Sequence, residues 1–220
     1  MKLTKLLLLA PAFTMLACAS EPVQPSSEEV DTHTVSEQTW REQIYYAEFI
    51  KPGQNKTIKV SAVRGTAYAA YYTFKQDGNK YEVSSSERNP EFFVIDPESY
   101  NRESKKYEIE NYYLNYEEKW EKGTIKRALT DLAFSNFEYL TYSISFKDFE
   151  YDKEEHLYTA KNITMTFDKT TLPIKEASIE FDNNVLQSIR AVIDVEGEEA
   201  TYTLNTRAIG ETTVTLPEVE

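Results

Sequence analysis

Few residues in this chain have the chemistry to catalyse a reaction alone. Its 220 residues include two histidines, His33 and His156, and one cysteine, Cys18. A Ser/His or Cys/His mechanism needs an imidazole held against its nucleophile. His33 falls in a polar stretch expected to be flexible. His156 follows the acidic turn Asp152-Lys153-Glu154-Glu155, where a solvated loop residue is expected. Neither is read as a base or a metal ligand. One cysteine excludes an internal disulfide, a thiolate zinc site and an iron–sulfur cluster. The sequence contains no G-x-S-x-G, P-loop or H-E-x-x-H pattern.

Carboxylates are what remain. Glu108 and Glu110 share a strand face, and Glu117, Glu118 and Glu121 follow closely. A glycosidase holds two carboxyl groups about 5 Å or about 6.5–9.5 Å apart across a cleft. With 37 Asp and Glu in the chain, some pairs meet that spacing by accident. A solvated acidic edge, which discourages edge-to-edge strand pairing, is the simpler reading. No D-x-D-x-D-G loop fixes a calcium shell. The chain is therefore read as non-enzymatic, with no catalytic residue, cofactor or metal, and a carbohydrate hydrolase ranks third among its readings. The formal charge of −13 becomes −15 once Lys2 and Lys5 leave with the leader. Such a surface repels phosphate backbones and anionic headgroups, so nucleic acid is not an expected partner.

The elements that would position a site begin with a helix. Thr34 and Glu37 have capping-box spacing, Trp40, Ile44 and Ala47 form an apolar stripe, and Pro52-Gly53 ends it. Alternating strands are expected over 56–63, 67–74, 80–86, 92–95 and 107–116, with Asp77-Gly78 making a hairpin turn. A second helix is expected after Gly123, because Ile125, Ala128, Leu129, Leu132, Ala133 and Phe137 fall on one helical face. Strands over 142–151, 157–167, 172–181, 185–195, 200–206 and 212–216 complete the pattern. The turns are too short for parallel crossovers, so the expected fold is α+β, an antiparallel sheet covered on one face by helices.

The first 17 residues read as a signal peptide: Lys2 and Lys5, then an apolar run from Leu6 to Ala17. Met15-Leu16-Ala17-Cys18 resembles the lipobox of bacterial lipoproteins, with Met15 in place of the usual Leu and Leu16 where a small residue is preferred. The competing reading is ordinary secretion after Ala19, with Ala17-Cys18-Ala19 as the cleavage site. The lipobox reading accounts for the position of the only cysteine, and it makes Cys18 the lipid attachment residue. The expected organisation is thus a leader over 1–17, a lipidated Cys18 with a flexible tether over 18–35, and one domain over 36–220. The tether contains Pro22, Pro25, Ser26, Ser27, Glu28 and Glu29, too little apolar content to order itself.

Within the domain, Val35-Ser36-Glu37-Gln38-Thr39-Trp40 resembles the opening of a group of uncharacterised lipoproteins, mostly from Gram-positive bacteria. Asp77-Gly78-Asn79-Lys80, Phe149-Glu150-Tyr151-Asp152 with Tyr158-Thr159-Ala160, and the closing Ile209-Gly210-Glu211-Thr212-Thr213-Val214-Thr215-Leu216-Pro217 are similar to further motifs of that group. The group looks related to the LolA-type and LppX-type lipoproteins. The resemblance implies a strongly curved antiparallel sheet, a half-barrel, with helices on its concave face and an apolar cavity able to carry a lipid or acyl chain.

The first functional reading is accordingly a monomeric surface lipoprotein, held outside the cytoplasm on the bacterial membrane through Cys18, that binds a hydrophobic ligand. Tyr68, Tyr72, Phe74, Ile144, Phe146, Met165 and Phe167 are the expected lining, although alternating strand residues of this kind serve equally as plain core. The alternative is an envelope adhesion module that has no cavity and presents an acidic, Tyr-rich sheet to a protein or glycan.

Overall fold

Period-two alternation dominates the chain, and among the described residues it builds mostly antiparallel strands in one large unclosed sheet, with one α-helical segment near its start. The computed structural model describes residues 31–220 apart from 66, 86–88, 130–143, 168–169, 196 and 220. Residues 31–220 form one compact unit. The leader, Cys18 and most of the tether lie outside the described residues.

The strands are β1 Gln54–Arg64, β2 Ala67–Gly78, β3 Lys80–Ser85, β4 Glu91–Ile95, β5 Tyr107–Leu114, β6 Trp120–Arg127, β7 Glu150–Asp152, β8 Leu157–Phe167, β9 Thr170–Asp182, β10 Val185–Val195 and β11 Glu198–Arg207. Their order in the sheet is β6-β5-β4-β3-β2-β1-β11-β10-β9-β8-β7. Sequence neighbours are sheet neighbours throughout each arm, and the two arms join where β1 pairs antiparallel with β11. Left-handed backbone occurs in several hairpin turns. Gly78, the last residue of β2, has φ +64°, and Asp77 pairs with Lys80, so the turn is Gly78-Asn79, one residue on from the expected Asp77-Gly78. Asn183 and Asn184 have φ +48° and +63° between β9 and β10.

Helix α1, Glu37–Ile44, starts at Ser36, whose Oγ accepts from the Thr39 amide at 3.0 Å. The expected cap, Thr34, instead donates its hydroxyl to the Asp31 carbonyl at 3.0 Å. Trp40 and Ile44, one turn apart, are buried against the sheet. Tyr45 is extended, and the chain resumes as α2, Tyr46–Phe49.

The last carbonyls of a helix have no partner within it. Here the sheet supplies one to each of four in a row. Gln54 Nε2 donates to the Glu48 oxygen at 3.1 Å, Lys56 Nζ to that of Phe49, Tyr81 hydroxyl to that of Ile50 at 3.0 Å, and Gln76 Nε2 to that of Lys51 at 2.7 Å. Lys56, Gln76 and Tyr81 are buried, and Lys56 Nζ also lies 3.4 Å from the Phe49 ring centre. With no carboxylate contributing to its shift, burial pushes the Lys56 ammonium well below the usual lysine range.

Three expectations are corrected. Residues 120–127 are the strand β6, not the start of a helix: Ile125 pairs with Ile109 and Gly123 with Asn111, so the ladder to β5 claims a stretch whose apolar spacing also fits a helix. The remainder of that expected helix lies outside the described residues, although Leu129 is buried. The expected strand over 142–151 is a 3-10 turn, Phe146–Asp148, followed by the three-residue β7. The reason is spacing: Phe146 and Phe149, three apart, both reach the Trp40 ring, at 5.4 and 5.1 Å. Residues 212–216 form no ladder. They cross the other face of the sheet, held by Asn55, which donates to the Thr212 carbonyl at 2.8 Å and accepts its amide at 2.7 Å. Val214 and Leu216 pack there with Phe92, Tyr112, Val94 and Trp120.

Candidate functional site

Register across the sheet sets up its helix-facing side. One row of large residues runs through Tyr158, Ile179, Ile189, Leu204 and Val60. The next row is small: Ala160, Ala177 and Ala191, then Tyr202 and Ala62. A third row, Ile163, Ile174 and Ile193, is large again. Three buried alanines on adjacent strands thus make a floor between two apolar ridges, spanning roughly 10 Å from β8 to β10 at normal strand spacing.

Over this side sits an aromatic cluster. The Trp40 ring lies within 5.1–5.6 Å of Phe146, Phe149, Tyr158 and Phe181. Next to it opens a recess of about 330 Å³ lined by Glu37, Trp40, Arg41, Tyr45, Ile144, Ser145 and Phe146. Its exposed lining is more polar than apolar, with Glu37, Arg41 and Ser145 beside the edges of the aromatic cluster, and the Arg41 guanidinium lies 5.6 Å from the Tyr45 ring centre.

The expected lining residues divide. Ile144 and Phe146 come together at this recess. Phe74 is fully buried and packs on the Tyr81 ring at 5.5 Å, so it is core. Tyr72 is half-buried and packs against the same core. Tyr68 lies on β2, and Met165 and Phe167 on β8, but their side chains are outside the described residues. Lys56 and Gln76 were missed as structural residues. The signal was available, since each shares strand parity with buried neighbours, Lys56 with Ile58 and Gln76 with Phe74.

The acidic candidates fall in two places. Glu108 and Glu110 line an open recess of about 340 Å³ with Asn79, Val94, Asp96 and Thr124. Glu110 accepts from the Tyr112 hydroxyl and from Lys122 Nζ, the latter at 3.1 Å. Those donors hold its carboxyl below the usual range, and the hydrogen bond to that carboxylate in turn pushes the Tyr112 hydroxyl up to about 12. A glycosidase acid needs the opposite shift. Glu117, Glu118 and Glu121 are exposed around the β5–β6 hairpin.

His33 is not in a flexible tether. Residues 31–35 are fastened to the far arm of the sheet. His33 Nδ1 lies 2.8 Å from the Phe181 carbonyl oxygen, and the Asn183 amide donates to the Thr32 carbonyl at 2.9 Å. The Val35 amide donates to the Tyr158 hydroxyl at 2.9 Å. His156, in the β7–β8 turn, has its ring centre 4.6 Å from that of His33. The segment that composition assigns to the tether therefore ends at the surface of β7–β9.

No family model matches the chain, and no curated protein does. Among solved structures it is similar to a LolA superfamily protein from Nitrosomonas europaea, at 9% identity and a TM-score of 0.24, over 84% of this chain and 96% of that one. A likeness that loose carries no argument about fold or function. The functional reading rests on the chain's own geometry.

Proposed function

We propose that this chain is a bacterial lipoprotein, anchored outside the cytoplasm through Cys18, whose domain binds a lipid or acyl chain and catalyses no reaction. The observation that carries the reading is the recess beside Trp40. It sets Trp40, Ile144 and Phe146 beside the charged Glu37 and Arg41, on a lining more polar than apolar. That mixture suits an amphiphile with a short apolar part and a polar or anionic head. The unclosed antiparallel sheet is also compatible with the half-barrel that the sequence motifs imply.

Native mass spectrometry of the chain from residue 20 onward, purified without detergent and followed by organic extraction, tests the reading. A stoichiometric adduct that extracts as a lipid is expected, and Phe146→Glu, which also loosens the Trp40 cluster, should lose it under conditions where circular dichroism shows the variant still folded. A clean mass that takes up neither added phospholipid nor fatty acid would end the carrier reading.

A second reading, an envelope interaction module, has its own observation. Tyr116 is fully exposed at the tip of the β5–β6 hairpin, and Tyr113 is 39% exposed. With Leu114, Asn115, Glu117 and Glu121 they line an open recess of about 600 Å³. Flat aromatic faces beside carboxylate and amide groups suit a glycan or a basic peptide.

A further inference from the structure

Asp31 and His33 stand at the start of the described residues and His156 far along the chain in the β7–β8 turn, yet the three meet at one place on the sheet. Each offers one ligand atom, and the three atoms lie within 4.8 Å of one another. We propose that they form a binding site for a late first-row divalent cation, Zn²⁺ being the probe that tests it.

The donor set is two imidazoles and one carboxylate, which suits borderline ions rather than calcium or magnesium. The surroundings orient each donor as metal sites require. His33 Nδ1 faces the Phe181 carbonyl at 2.8 Å, an acceptor only, so Nδ1 carries the proton and Nε2 the lone pair. Asp31 Oδ1 accepts from the His33 amide at 3.0 Å, and Oδ2 accepts from the Tyr151 hydroxyl at 2.6 Å. That hydroxyl also lies 3.2 Å from His156 Nδ1. One tyrosine thus touches both the carboxylate and the second imidazole.

The spacing is close to what a metal needs. Tetrahedral ligands at about 2.0–2.1 Å stand roughly 3.3 Å apart. His156 Nδ1 faces the Tyr151 hydroxyl and lies 3.7 Å from Asp31 Oδ1, so the ring sits beside the carboxylate with Nε2 left as its ligand atom. The widest pair must close by about 1.5 Å, within the reach of side-chain rotation at the half-exposed His156. Three protein ligands leave a coordination position for water. A bound ion would tie residues 31–33 to the β7–β8 turn, clamping the start of the described domain to the edge of its sheet.

The test uses the untagged full chain, stripped with a chelator and titrated with ZnCl₂. We expect one ion per chain, a Zn²⁺-dependent rise in melting temperature, and at least ~10-fold weaker binding in both His156→Ala and Tyr151→Phe. Because the chain has only two histidines, its imidazole NMR signals report on this site alone. Both sets should shift on saturation. The proposal is overturned if Zn²⁺ at millimolar concentration leaves those signals in place, or if His156→Ala binds as tightly as the parent. The NMR readout needs no substitution, so it decides the matter even for a variant that fails to fold.

Discussion

The α1–α2 segment is held at its front end mostly by bonds at the surface and at its back end mostly by buried ones. In front, Asp31–Val35 is fixed by Tyr151, Tyr158, His156 and the carbonyl of Phe181, close to solvent. Behind, Gln54, Lys56, Gln76 and Tyr81 reach from the sheet to four consecutive carbonyls. Water reaches most of the bonds at the front, so each of those contributes little by itself. At the back only the Gln54 bond is exposed; removing Lys56, Gln76 or Tyr81 leaves a buried polar group unsatisfied, at about 1–3 kcal/mol. The comparison suggests a stable rear anchor and a front that an ion, a ligand or a partner can adjust.

Four substitutions probe that asymmetry. Trp40 lies between the two ends and touches four aromatic rings, so Trp40→Ala should lose about 3–5 kcal/mol in urea unfolding. A loss under about 1.5 kcal/mol would mean that the ends are held independently of the cluster.

The rear anchor has a pH signature. Burial depresses the Lys56 pKa in the folded state, so below the unfolded value of 10.5 the folded chain binds fewer protons than the unfolded one. Stability should therefore rise with pH between 7 and 9, by up to ~1.4 kcal/mol per unit. Lys56→Met removes that slope, and parallel urea curves for parent and variant at pH 7 and 9 would refute the assignment.

The smallest effect is at the front. Ser36→Ala should lose about 1 kcal/mol through the missing N-cap, and Thr34→Ala less, because Thr34 caps no helix. Equal losses would return the capping role to Thr34.

Those cases also show what was legible in the residues alone. Strands that alternate and close on glycine or asparagine turns were readable, because register on a half-buried sheet follows from which residues must face inward. The stretch after Gly123 was not, since its apolar spacing fits two periods and only the pairing of Ile125 with Ile109 decides between them. Thr212 to Leu216 alternates like a strand but finds no free ladder, and it packs on Phe92 and Tyr112 instead. Of the expected lining, Ile144 and Phe146 do meet, while Phe74 is ordinary core. The His33–His156 approach was invisible. It depends on a fold that brings an acidic turn beside a segment whose composition alone argues for disorder.

The seam between β1 and β11 has a consequence for how the chain reaches this state. Each arm is a run of hairpins that can form from local contacts, whereas the seam pairs Thr57 with Arg207 and Arg64 with Ala200. Bringing those ends together costs roughly 4 kcal/mol of loop entropy before any contact repays it. Contacts of such sequence separation slow folding. The two arms can therefore be populated as separate meanders, and the rate at which they zip along β1 and β11 sets the rate for the whole sheet.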